Sequence, residues 1–268
     1  MTSPATTELW VQEVGEGPLV VLVHGAMDRS SSFLRVRRLL EGECRVVRYD
    51  RRGYGRSLAA GPPVSFDQQV DDLAAVIRDR HAAVLVGHSL GGVVCLALAE
   101  RSPGQVGAVL AYEAPMMWEP WWPTDSAGSA ALASSELATG DGDGGEGDGA
   151  AAEAFMRRML GNARWERLPA AVRAERRAEG ATLLAELRSV RPPSRVPYNP
   201  ERVTVPVVAA FGTETQLQHR RAAQELGSRA PRGVLEAIEG AGHGAHLSHP
   251  VELAALVRGS LSLAPGRR

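Results

Sequence analysis

The chain has little of what marks several protein classes. It carries two cysteines, Cys44 and Cys95, in 268 residues. Neither has metal-site spacing, and no disulfide framework is implied. Cys95 falls in an apolar run that reads as a helix, where a thiol packs as a small hydrophobe, and Cys44 precedes a strand. No run of about 20 apolar residues exists, so no membrane span is expected. Met1 to Thr7 lacks a basic segment followed by an apolar one, so no export signal is expected and a cytoplasmic location is the simplest reading. Neither sign of charge is in excess, the formal net charge being -1. Without a dominant basic patch, nucleic acid is not an expected partner. What remains is 44% hydrophobic and 23% charged, enough for a packed core. The length suits one large α/β domain or a domain with an insertion.

The most informative stretch is Gly87-His88-Ser89-Leu90-Gly91-Gly92, which fits Gly-x-Ser-x-Gly. Ala83 to Val86 in front is short, apolar and β-branched, as a buried strand is. Val93 to Glu100 behind reads as a buried helix. A strand turning sharply into a helix needs small residues on either side, and the flanking glycines supply them. Ser89 then projects its hydroxyl at the carboxyl edge of a sheet, on a helix N-terminus that favours negative charge.

Glu8 to Val14 alternates like a half-exposed strand, and Leu19 to Val23 is continuous apolar, like a central parallel strand. Helical spacing covers Ser31–Leu40, with Phe33, Val36, Leu39 and Leu40 on one face. Arg45–Tyr49 is a strand, and Ser65 caps a helix reaching about Arg80. Val106–Tyr112 is a strand ending in Glu113. The pattern then changes. Met116 to Pro123 is a dense apolar and aromatic cluster holding Met117, Trp118, Trp121 and Trp122. Residues 139–149, rich in glycine and acid, are expected to form a mobile loop because they have too little to bury. The aspartates there do not complete a calcium loop, since the glutamate at its twelfth position is missing. Helices are expected over Ala150–Gly161, Ala163–Arg177 and Glu179–Val190. Alternation resumes with the strand Val205–Phe211, the helix Gln218–Ser228, the strand Gly233–Ile238 and the helix Val251–Leu261. Such alternation implies a mostly parallel sheet covered on both faces. Residues 1–115 and 196–268 form the core in this reading, and 116–195 an inserted helical lid.

His24-Gly25, the charged loop Asp50-Arg51-Arg52-Gly53-Tyr54-Gly55-Arg56-Ser57, the Ser89 elbow and Gly242-His243 stand in this order along the chain. Together they resemble the α/β-hydrolase superfamily, over roughly residues 8–115 and 196–263. The resemblance implies an α/β-hydrolase fold with Ser89 as nucleophile and His243 as its base. It implies an oxyanion hole from the backbone N–H groups of Ala26 and Leu90, with Met27 adjacent. His24 is expected to tie loops together, and Arg51 and Arg52 to pair with nearby acids. The acid departs from the pattern. Where the superfamily most often has aspartate, three residues past a glycine, Gly212-Thr213-Glu214-Thr215 presents a threonine. Glu113, at the end of the strand after the elbow, and Glu214 are the two substitutes, with Glu113 preferred.

The function expected is a serine hydrolase cleaving a small, largely apolar ester, thioester or lactone. A serine at the elbow argues against the dehalogenase and epoxide-hydrolase branches. Acyl transfer or carbon–carbon cleavage by the same triad is the alternative, as is a non-catalytic ligand-binding protein on this scaffold. Met27, Met117, Trp118 and Trp122 are candidates for the substrate pocket. No cofactor and no metal is expected, and the partner is a small-molecule substrate acting on a monomer or homodimer.

Overall fold

The structure, a computed structural model, describes residues 9–78, 83–138, 144–190 and 196–264. Strand and helix alternate through β1 (Val11–Val14), β2 (Leu19–Val23), α1 (Leu34–Leu40), β3 (Arg45–Tyr49), α2 (Phe66–Ile77), β4 (Ala83–His88), α3 (Leu90–Arg101) and β5 (Val106–Tyr112). Among the described residues five helices follow: α4 (Ala127–Ala138), α5 (Gly144–Leu160), α6 (Asn162–Glu166), α7 (Ala170–Ala178) and α8 (Gly180–Ser189). The chain then rejoins the sheet with β6 (Val207–Gly212), α9 (Leu217–Arg229), β7 (Gly233–Ile238), α10 (Ala245–Ser248) and α11 (Pro250–Leu263). The strand order is β1-β3-β2-β4-β5-β6-β7. Among the described strands only the β1–β3 pair is antiparallel. This is the α/β-hydrolase architecture, with the helices α4–α8 inserted between β5 and β6.

Period-two alternation along the central strands feeds both faces of the sheet. Val20, Leu22, Val84 and Val86 pack with Val36 of α1 and Val257 of α11. Val21, Val23 and Leu85 pack with Leu73 of α2, the whole apolar length of α3, and Leu226 of α9. Helix α3 is buried from Leu90 to Ala99, which is why its sequence is apolar all round rather than striped. The Ser65 hydroxyl caps α2 by accepting from the Gln68 N–H, as expected. Leu39 departs from expectation by being exposed, while Phe33, Val36 and Leu40 are buried.

The inserted region differs more from its sequence reading. Residues 139–143 of the expected loop lie outside the described residues, but 144–149 are the first turns of α5, not a mobile loop. Glycine is a poor helix former, and tertiary packing decides here. Helix α8 starts with Gly180 so close to Asp148 that a Cβ would collide with the Asp148 carbonyl. Helix α4, where no helix was expected, packs along α5. The single helix expected over Ala163–Arg177 is two, because Pro169 lies in extended backbone and caps α7.

The inserted helices have a small core of their own: Trp165, Ala152, Met156, Leu183, Leu184 and Leu187, joined by Met27 and Tyr54 from the sheet's loops. Two buried carboxylates bind it to those loops. Glu186 of α8 pairs with Arg51 and accepts a 2.6 Å hydrogen bond from the Tyr54 hydroxyl. Glu179 accepts from Arg29 Nε and from the Gly55 N–H, each at 3.0 Å. Arg51 and Glu186 are almost wholly excluded from solvent, so each charge depends on the other. Replacing Glu186 with alanine leaves the Arg51 guanidinium buried and unpaired. The expected cost is about 3–5 kcal/mol, read as a lower urea midpoint with unchanged slope. A midpoint equal to wild type would show that water reaches Arg51.

Candidate active site

Ser89 stands between β4 and α3 with φ 51° and ψ −126°, a conformation that L-residues avoid. Close backbone contact on every side holds it there. A Cβ on Gly87 would strike the Gly92 backbone, and one on Gly91 would strike the Val23 and His24 carbonyls. A Cβ on Gly92 would come 2.8 Å from that of Ala114, and one on Gly25 would come 3.0 Å from that of Ser89. The Ser89 N–H donates to the Tyr112 carbonyl at 2.9 Å, and its carbonyl accepts from Gly92 at 2.8 Å. Its hydroxyl makes no hydrogen bond among the described residues and opens into a cleft.

His243 follows β7 on a glycine-bordered loop pinned from beneath. The Tyr112 hydroxyl donates to the Gly242 carbonyl at 2.7 Å, and His88 Nε2 bonds the His243 carbonyl at 2.9 Å. His243 Nδ1 donates to Glu113 Oε2 at 2.6 Å, leaving Nε2 with the lone pair. Glu113 is fully buried at the end of β5 with φ 51°. Its Oε1 accepts from the Gly212 N–H at 2.9 Å, and its Oε2 also accepts from the Thr215 hydroxyl at 2.8 Å. Burial alone would raise the Glu113 carboxyl. The hydrogen bond and charge of His243, then His219 and the Gly212 N–H, outweigh it and hold the group below the usual carboxylate range.

Of the two candidate acids, the structure brings Glu113 to His243 and leaves Glu214 aside. Glu214 lies beyond the end of β6 with its side chain exposed, and its N–H is tied to the Ala241 carbonyl at 2.9 Å. Thr215, in the place of the more common aspartate, instead donates to the carboxylate that reaches in from the neighbouring strand.

The cleft has a volume of about 620 Å³, counting its opening to solvent. Ser89, His243, Ala26 and Leu90 line it. Leu90 opens α3, so its N–H has no partner within the helix. Two of the expected pocket residues, Met117 and Trp122, line the cleft, together with Phe155, Met159 and Leu187 from the inserted helices. Met27 and Trp118 do not. Met27, at φ 54°, packs into the core of the insertion, and Trp118 sits edge-on against Tyr198 with ring centroids 5.3 Å apart.

His24 does what was expected of it. Its Nδ1 donates to the Gly25 carbonyl at 2.8 Å, and its Nε2 accepts from the Arg51 N–H at 2.8 Å. Burial, reinforced by the Arg51 charge, lowers its pKa to about 4. Arg52 pairs with Asp72 at 2.8 Å.

His219, in the first turn of α9, was not anticipated. Its ring lies 4.5 Å from that of His243 at 32° and meets Trp122 edge-on at 5.4 Å. His88 lies 4.6 Å from the His243 ring, so His243 has imidazoles at both His88 and His219. Burial first, then the His243 charge, lowers the His219 pKa to about 3, so it stays neutral. One histidine on a polar helix gives no signal of this in sequence, because only the crossing of α9 over the sheet edge brings it to the site.

A strained serine, a cleft-lining histidine bonded to a buried carboxylate and a cleft at the carboxyl edge of a parallel sheet define the class of hydrolytic α/β enzymes built around a nucleophile elbow. The model of the alpha/beta hydrolase family matches residues 20–256, and the chain belongs to that family. A stretch of 105 residues is 33% identical to 2-(acetamidomethylene)succinate hydrolase of Mesorhizobium japonicum, covering 38% of each chain. The chain thus spans well under half the length of the curated relatives it matches. The fold is shared with a thermophilic esterase of Thermogutta terrifontis, at TM-score 0.73 and 23% identity over 97% of this chain and 95% of that one. It is shared also with the enol-lactonase of Burkholderia xenovorans, at TM-score 0.69 and 22% identity over 96% and 98%. The relatives are hydrolases of this fold. No helix among the described residues is long and apolar enough to cross a membrane.

The two neutral histidines make stability depend on pH in a defined direction. Unfolded histidine takes its proton near pH 6.5, whereas folded His24 and His219 take theirs near 4 and 3. The unfolded state therefore binds more protons on acidification, and this contribution to stability, complete above about pH 6.5, is lost as pH falls toward 4. Buried His24 alone accounts for about 1.4 kcal/mol per pH unit across that window. Urea midpoints taken from about pH 7 to 4.5 should fall steadily, and less steeply in His219→Phe. A flat profile would show that water or a proton reaches these rings in the folded state.

Proposed function

We propose that this chain is a serine hydrolase that cleaves a small, largely apolar ester, thioester or lactone through an acyl-enzyme. The observation that carries this reading is the 2.6 Å bond from buried Glu113 to His243, which lines the same cleft as the strained Ser89. Ser89 Oγ attacks the acyl carbon and passes its proton to His243 Nε2. The oxyanion that forms takes the N–H groups of Ala26 and Leu90. Collapse expels the alcohol or thiol, which receives the proton from His243, and water repeats the sequence to release the acid. Glu113 holds the imidazole in the required tautomer and stabilises its charged form. Apo enzymes often lack the serine–histidine hydrogen bond, which tightens only with substrate bound, so its absence is compatible with the role.

The apolar preference is supported by Met117, Trp122, Phe155, Met159 and Leu187 on the cleft wall. The inserted helices act as a lid in this reading, since α4, α5 and α8 all supply wall residues. Hydrolysis of an ester or lactone is in keeping with the names of the esterase and the enol-lactonase that share the fold.

Ser89→Ala should abolish labelling by a fluorophosphonate probe and reduce p-nitrophenyl ester turnover on the order of a millionfold in a folded protein. Unchanged turnover would remove Ser89 from the mechanism. Glu113→Gln keeps shape and removes charge, and kcat should drop on the order of 10⁴-fold, while Glu214→Gln stays within a few-fold of wild type. The opposite ranking of these two variants would assign the acid to the late strand.

A further inference from the structure

At the elbow, among residues that do not line the cleft, three donor atoms converge that the hydrolytic reading does not use. They belong to Asp28, His88 and His246, and all lie within 4.8 Å of one another. His88 fixes its own tautomer. Its Nε2 bonds the His243 carbonyl, and a carbonyl oxygen only accepts, so Nε2 carries the proton. Nδ1 is then a bare lone pair. It is buried without a hydrogen-bond partner, 3.9 Å from Asp28 Oδ2. A lone pair facing a carboxylate oxygen is repulsive unless a cation sits between them.

His246 repeats the arrangement. Its ring is buried, stacked on Phe33 at 4.9 Å and 4.3 Å from the His88 ring. Nε2 lies 3.4 Å from the same Asp28 oxygen without hydrogen-bond geometry, and Nδ1 is unpartnered as well. Burial alone would raise the Asp28 carboxyl, yet the adjacent His246 imidazole holds it well below the usual carboxylate range, so it is an anion. The Ser32 hydroxyl donates to that oxygen at 2.9 Å.

We propose that Asp28, His88 and His246 bind a divalent transition-metal ion of the zinc or cobalt(II) type. Two imidazole nitrogens and one carboxylate oxygen suit such an ion and leave a fourth position for water. Two ligands about 2.1 Å from one tetrahedral ion stand about 3.4 Å apart. The His246–Asp28 separation already matches, and the His88–Asp28 pair needs a shift of a few tenths of an ångström. The partners beyond the donors fit as well. Metal-bound histidines donate their other N–H to a carbonyl, and bound carboxylates are hydrogen-bonded in turn, as His88 and Asp28 are. Asp28 is 21% exposed, which gives the ion a way in. The metal ties the loop after β2, the elbow and α10 together beneath the His243 carbonyl, so its role is to hold that loop.

The test is binding, independent of turnover. A second group of donors, Glu113, His219 and His243, also lies within 4.8 Å, so the experiment is run on Glu113→Gln, which dismantles it. Protein stripped with a chelator is titrated with Co²⁺ and followed by visible absorption. The expected result is one ion per chain with the bands of a tetrahedral site. Adding Asp28→Asn, which keeps shape, or His246→Gln should weaken binding at least about 100-fold. Zn²⁺ should raise the Tm of Glu113→Gln and leave that of the Glu113→Gln, Asp28→Asn double variant unchanged. Absence of bands at millimolar Co²⁺, or binding and Tm shifts that persist in Asp28→Asn, would overturn the site. If His246→Gln does not fold, Asp28→Asn alone decides. None of these outcomes bears on the hydrolase reading, which stands or falls with Ser89.

Discussion

The site depends first on how closely two pieces of backbone can approach at the end of β4. Gly87 and Gly92 face each other across the elbow with no room for a side chain, and Gly91 lies against the carbonyls of Val23 and His24 at the end of β2. This contact drives the turn from strand into α3 within one residue and forces Ser89 to positive φ. It also brings the start of α3, with the free N–H of Leu90, against the loop of Gly25 and Ala26. Ser89 and the two residues proposed as oxyanion donors are thus positioned by the same packing. The strain at Ser89 is borne by the core around it, since α3 is buried along nearly its whole length.

Around this contact, charged groups fix the loops that sequence leaves free. Arg51 is the clearest case. Its backbone N–H and its Nε both bond His24, which sits just before the oxyanion loop, and its guanidinium pairs with Glu186 of the inserted helices. The position of the insertion and the geometry of the Gly25–Ala26 loop are therefore linked through one buried cation. On the other side of the sheet edge, Glu113 gathers His243, Thr215 and the Gly212 N–H. A carboxylate with three donors stays ionised while buried, which is what orienting an imidazole requires.

Much of this was legible in the chain. Continuous apolar strands, an apolar helix after Gly-x-Ser-x-Gly and a histidine after the last strand are local patterns with local causes. They determined the fold class, and they singled out Ser89, His243 and Glu113, which the structure brings to one end of the sheet. What the sequence could not decide was set by long-range approach. That His243 bonds Glu113 rather than Glu214 follows from β5 lying beside β6, so that Glu113 and Thr215 meet across 102 positions of chain. Met27 and Trp118 read as pocket residues from their apolar character, but backbone direction turned one into the insertion's core and the other onto Tyr198. Gly144 to Gly149 read as a loop by propensity, yet packing against α4, α7 and α8 made it helix. His219 and the Asp28–His88–His246 group carry no local signal at all, because they come together only when α9, α10 and the loop after β2 close over the sheet's edge. Periodicity and turn chemistry act between near neighbours and so survive in sequence, whereas the contacts that select one acid, one wall and one cluster of donors join residues far apart in the chain and exist only in the folded state.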